Sequence, residues 1–157
     1  MDAVTDDFHA ETVVDAAPAV VWAAVGDPAR MARWSPEGVT VRVLGTPRVG
    51  ARTVNLNRRG VVVWPTSSTI VRYDVERAIA WSVPASGTVW SLELEPGPRP
   101  GSTRLVHRRA LAGTQRPLVA RLFAPIIGGV AGHDLELAAG MHRTLAAIKA
   151  DVEPPTS

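Results

Sequence analysis

Cysteine is absent from the 157 residues. Disulfides, thiolate metal sites and cysteine nucleophiles are therefore excluded, and of the compartments this leaves open a reducing cytoplasm fits best. Lysine is almost absent: Lys149 stands alone against sixteen arginines. The isoelectric point of 9.9 reflects that arginine content, because the formal net charge is only +2. The arginines are spread from Arg30 to Arg143 and adjoin only at 58–59 and 108–109. No basic stripe with interleaved aromatics results, so nucleic acid is not expected as a partner. Long apolar runs are lacking as well, since none approaches the ~18 residues of a membrane span. The opening "MDAVTDDFHAE" is acidic and has no apolar core of a leader peptide. A cytoplasmic protein without stable membrane insertion is the expectation. Catalytic signatures are missing too: there is no G-x-S-x-G elbow, no H-E-x-x-H and no phosphate loop. His9, His107, His133 and His142 lack metal-ligand spacing, so neither metal nor cofactor is expected.

What is present is a chain with 46% hydrophobic residues, enough to fill one core. A single domain over 1–157 is expected, with its core at about 8–150 and a disordered tail at 151–157. "FHAETVVDA" reads as a strand. "APAVVWAAVGDPARMARWSPE" (17–37) reads as two short helices. Pro18 sits in the first turn of one, Gly26 ends it, Asp27 caps the next, and Ser35-Pro36 stops that one. Helices this short cannot stand alone, so packing must hold them. Strand signals follow at 39–45, 51–57, 60–64 running past Pro65 into 66–75, 78–83, 87–95 and 102–111. They suggest an antiparallel meander, with a bulge or an edge at Pro65. The last element is a long helix reaching about Ala150, firm from Gly132 and open as to its start before Gly128-Gly129.

Along that helix Leu137, Met141, Leu145 and Ile148 share one stripe, and Asp134 falls on it as well. A carboxylate on an apolar stripe is costly to bury unpaired. Asp134 either binds a ligand hydroxyl or acts as a base, or it caps the helix after Gly132 or pairs with an arginine such as Arg109. On the strands, Trp90, Leu92 and Leu94 alternate with polar residues. Trp64, Thr66 and Ser68 offer a second wall with hydroxyls. His107 and Arg109 share parity with Leu105 and Leu111, which turns them inward. The opposite parity, with Val106 inward, fits nearly as well.

The segments "VVDAAPAVVWAAVGDPARMARWSPE", "GTVWSLELEP…GSTRLVHRRAL" and "HDLELAAGMHRTLAAIKA" resemble the SRPBCC proteins. These are the START/Bet v 1-like group of polyketide cyclase/dehydrase and lipid-transport proteins, and the likeness spans about 8–150. It implies an α+β helix-grip fold: a curved antiparallel sheet of about six or seven strands, two short helices, and a long C-terminal helix enclosing a cavity. It implies a small hydrophobic ligand, a lipid, polyketide or aromatic, held by a carrier or sensor. The alternative is an aromatase/cyclase-type enzyme acting in the same cavity. A weaker third reading is a protein-binding module like the Hsp90-activating members. Trp90, Leu92, Met141, Leu137, Leu145, Trp34, Trp64, Ser68, Asp134, His107 and Arg109 are the candidate ligand-binding residues; no catalytic residue is singled out. Cyclases that the chain resembles carry an arginine on the strand reading "WPTSST", where Ser68 or Thr69 stands here. A homodimer is left open.

Overall fold

The computed structural model describes residues 8–111 and 130–154, with side chains for 8–110 and 138–154. Strands β1 (Phe8–Val14), β2 (Gly38–Leu44), β3 (Arg52–Arg59), β4 (Val62–Asp74), β5 (Ala78–Val83), β6 (Thr88–Pro96) and β7 (Thr103–Leu111) form one antiparallel sheet. Its order is β1-β7-β6-β5-β4-β3-β2, so β2 to β7 are a meander of neighbours and β1 closes on the last of them. Helix α1 (Pro18–Val25), a 3₁₀ turn (Pro28–Arg30) and α2 (Met31–Trp34) link β1 to the far edge strand, and α3 (Val130–Val152) follows β7.

Local chemistry explains the breaks. Pro18 occupies the first position of α1, where its missing N–H is harmless. Gly26 ends that helix, and a Cβ there would lie 2.7 Å from Cε2 of Trp22, so only glycine lets the indole fold back over the helix end. The Asp27 carboxylate accepts from the Ala29 N–H at 3.1 Å and caps the next turn. Ser35 leaves the helical region with ψ 130, as a residue before proline must. Pro65 lies in the part of β4 that β3 alone pairs, an edge on its other side. The bulge lies farther on, between Ile70 and Arg72.

The core is shared by one face of the sheet and the helices. Val14, Ile79, Leu92, Leu94 and Leu105 pack with Val21 and Val25 of α1 and with Met141, Leu145 and Ile148 of α3. The helical stripe is thus buried where its side chains are described. Helix α3 extends through Val152, and Glu153 accepts from the Asp15 N–H at 2.7 Å and from Lys149 at 2.5 Å. The expectation of a loose tail from 151 is corrected for 151–154, because these contacts, with Lys149 Nζ donating to the Val13 carbonyl at 2.5 Å, tie the helix end to the end of β1 and the residue after it. Residues 155–157 lie outside the described ones.

Candidate functional site

Antiparallel register places directly paired residues on one face, so the face turned toward α3 can be read as rows across the sheet. The row Ala10, His107, Leu92 and Ile79 lies next to the row Phe8, Arg109, Trp90, Trp81 and Ile70. Beyond them, the same face of β3 and β4 carries Thr53 opposite Ser68, Asn55 opposite Thr66, and Asn57 opposite Trp64. The wall therefore runs from aliphatic, through aromatic, to hydroxyl and amide groups.

His107 is 3% exposed and in register with the core residues Ala10 and Leu92, which settles its parity: it shares the inner face with Leu105, while Arg108 pairs outside with Glu93 at 3.1 Å. Its ring lies beside those of Trp90 and Trp81, at centroid distances of 5.5 and 6.5 Å. Nδ1 is buried and has no hydrogen-bond partner among the described residues. Burial penalises the imidazolium and lowers the pKa to about 4, so the ring is neutral near pH 7. Arg109 stands in register between two aromatic rings, its guanidinium carbon 5.8 Å from the centroids of both Phe8 and Trp90. That geometry suits cation–π attraction, which grows as water is excluded. Trp90 donates its indole N–H to Thr88 at 3.1 Å, and the Thr88 hydroxyl also meets Ser86 at 2.6 Å. With its polar atom satisfied, the Trp90 ring offers only an apolar surface.

On β3 and β4 the polar groups form a continuous ladder. Thr53 and Ser68 share a hydroxyl–hydroxyl bond and are both buried. Thr53 donates to Asn55 Oδ1 at 3.0 Å, and Asn57 Nδ2 donates to Thr66 at 3.0 Å and to the Trp64 carbonyl at 3.4 Å. Ser68 is thus engaged within the wall, and Trp64 is half-buried at its outer end. Asn55 and Asn57 are missing from the sequence-derived candidates. Their alternation with Val54 and Leu56 is visible in "TVNLN", but the rule that apolar residues face inward assigns it the wrong sign.

The remaining candidates separate. Leu92, Met141 and Leu145 are fully buried in the core. Trp34 is 4% exposed and donates its indole N–H to Asp151 Oδ2 at 3.1 Å, beneath the Arg30 guanidinium 5.7 Å from its centroid. Asp151 lies ten residues beyond Met141, about 15 Å along the helix. Trp34 therefore clamps α2 to the C-terminal end of α3. The backbone of Asp134 and Leu137 belongs to α3, but their side chains lie outside the described ones. Because α3 begins at Val130, Asp134 stands beyond its first turn, and of the roles left open for it helix capping is excluded. A separate surface groove of about 460 Å³, bordered by Pro18, Arg72, Arg77, Glu93 and Glu95, lies away from this face. Its charges are largely spent on neighbours, Arg72 on Asp74 and Glu93 on Arg108.

The sequence model of a family described as polyketide cyclase/dehydrase and lipid transport matches residues 5–153. No curated protein matches the chain. Among solved structures, the polyketide-cyclase-like protein Cgl2372 from Corynebacterium glutamicum is 23% identical, over 92% of this chain and 90% of its own, with a TM-score of 0.63. The Zhui aromatase/cyclase from Streptomyces sp. R1128 is 17% identical, over 94% and 93%, with a TM-score of 0.66. The di-domain ARO/CYC protein StfQ of the steffimycin biosynthetic pathway is 15% identical, over 94% of this chain and 50% of its own, with a TM-score of 0.71. At such identities the likeness shows the fold, which is the helix-grip fold. Among the described residues no helix is long and apolar enough to cross a membrane.

Proposed function

Because the chain belongs to the polyketide cyclase/dehydrase and lipid transport family, we propose that it binds a small hydrophobic molecule against the inner face of the sheet, as a cytoplasmic carrier or sensor. The observation that carries this reading is His107. A buried polar atom without a partner costs about 1–3 kcal/mol, and Nδ1 of His107, which has none among the described residues, belongs to a ring beside those of Trp90 and Trp81. A ligand hydroxyl or carbonyl entering beside Trp90 would supply the missing bond, while its apolar part covers the indole. A pKa near 4 makes this imidazole a poor proton acceptor at neutral pH, which favours holding a ligand over acid–base chemistry.

The aromatase/cyclase reading rests on a different residue. Arg109, on the same face and between Phe8 and Trp90, is placed to polarise a carbonyl or stabilise an enolate, with binding in the cavity supplying proximity. The discriminating experiment is titration with N-phenylnaphthylamine, read by tryptophan emission and by Tm. Binding of about one dye per chain should quench the emission and raise Tm, since a ligand of the native state must stabilise it. Trp90→Ala should weaken binding by about 1–3 kcal/mol. Unchanged emission and Tm at saturating dye would dismiss the binding site. Turnover of a poly-β-ketone thioester that is lost in Arg109→Gln but kept in His107→Leu would decide for the enzyme.

A further inference from the structure

From Gly38 to Tyr73 the chain carries six arginines and neither aspartate nor glutamate. With Asp74 at the end of β4 included, strands β2 to β4 and their turns thus hold +5 in a molecule of net +2, which leaves −3 on everything else. The outward positions of these strands combine that charge with apolar side chains. Arg42 is in register with Val54, Arg52 with Leu44, and Arg58 with Val63. All three arginines are exposed, and none makes a side-chain ion pair with a described residue. Leu44, Val54, Leu56 and Val63 are exposed beside them. The β3–β4 hairpin also outruns its neighbours, since β2 pairs no farther than Asn57 and β5 only from Thr69. Its turn residue Val61 is 97% exposed at the end of that projecting ribbon.

We propose that the outer face of β2–β4, with the hairpin tip, docks reversibly on an anionic lipid bilayer. Guanidinium groups pair with headgroup phosphates, and aliphatic side chains between them enter the boundary of headgroups and acyl chains. Other occupants fit less well. A single-stranded nucleic acid calls for outward aromatic platforms, whereas Trp64 is on the inner face. A second copy meeting this face about a two-fold axis would set arginine against arginine. An acidic protein would satisfy the charge, but the projecting Val61 suits a medium that it can penetrate.

The test is co-sedimentation of the full chain with vesicles of phosphatidylcholine alone, or mixed with about one-third phosphatidylglycerol, with melting curves as the control for folding. The protein should pellet with the anionic vesicles and not with the neutral ones. Binding should fall roughly a hundredfold in the Arg42→Gln/Arg52→Gln/Arg58→Gln variant. It should also fall steeply in half-molar salt, where screening acts within a few ångströms. Val61→Asp, at a position with no packing to lose, should weaken binding while leaving the melt unchanged. Failure of the wild type to pellet with anionic vesicles, or equal pelleting of the triple variant, overturns the proposal. Retention on polyglutamate without vesicle binding overturns it in favour of an acidic protein partner.

Discussion

At the scale of single residues, His107 makes the folded state sensitive to acid. Between pH 6.5 and about 4 the unfolded chain binds a proton at this imidazole that the folded chain refuses. Its contribution is therefore complete above pH 6.5 and is lost as the pH falls toward 4, by up to about 3 kcal/mol. Urea unfolding across that range should show the decline, and His107→Leu should flatten it by one proton's worth. A variant with the wild-type slope would mean that water reaches the ring and that it titrates freely. Gly26 makes a second local demand. Gly26→Ala places a methyl within 2.7 Å of the Trp22 indole, which packs edge-on against Tyr73 with centroids 5.2 Å apart. Displacing that ring should cost about 1–3 kcal/mol in a thermal melt; no loss would show that the indole relaxes freely. Neither dependence is visible in sequence. The spacing of "VHRRAL" permits both parities, and only the register with Leu92 and Ala10 buries the histidine.

Among the elements, β3 inverts the usual arrangement, burying Thr53 while Val54 is 49% exposed. Thr53→Val would strand the buried Ser68 hydroxyl and should cost about 1–3 kcal/mol. Val54→Thr, on the outer face, should cost less than about 0.5 kcal/mol. Equal costs in urea melts would refute the inversion. Helix α2 is only four residues long and persists through the clamp at Asp151, which receives Trp34 and lies 3.7 and 3.6 Å from Arg30 and Arg33. Asp151→Ala should lower Tm by roughly 2–6 °C. Asp151→Asn should recover much of that, because its amide oxygen still accepts from the indole; no difference between the two would assign the effect to charge alone. Element boundaries were legible in the sequence because proline, glycine and the Asp27 cap act within a few residues. The clamp was not, because Trp34 and Asp151 are 117 residues apart and no local pattern links them.

For the whole molecule, the alternation of strands 39–45 and 87–95 and the stripe of the last helix gave the architecture, since a sheet and a helix with one apolar side each have few ways to cover each other. Of the candidate site only the inward-facing surface was legible. Trp90, Met141 and Leu145 follow from periodicity, but the polarity of the β3–β4 end depends on which face closes over the core. The strand order carries one more consequence. The meander from β2 to β7 can zip through adjacent hairpins, but β1 must wait: Thr103 bonds the carbonyl of Ala16, 87 residues earlier in the chain. Closing so long a loop is entropically the costliest pairing in the sheet. In pulse-labelled hydrogen exchange during refolding, the amides of Phe8–Val14 should become protected last; early protection would reverse that order. During synthesis the first strand made is then the last to find its place, and until β7 has emerged it remains a loose end with an unsatisfied edge. Glu11, exposed at the middle of that strand, acts as a charge against mispairing while it waits.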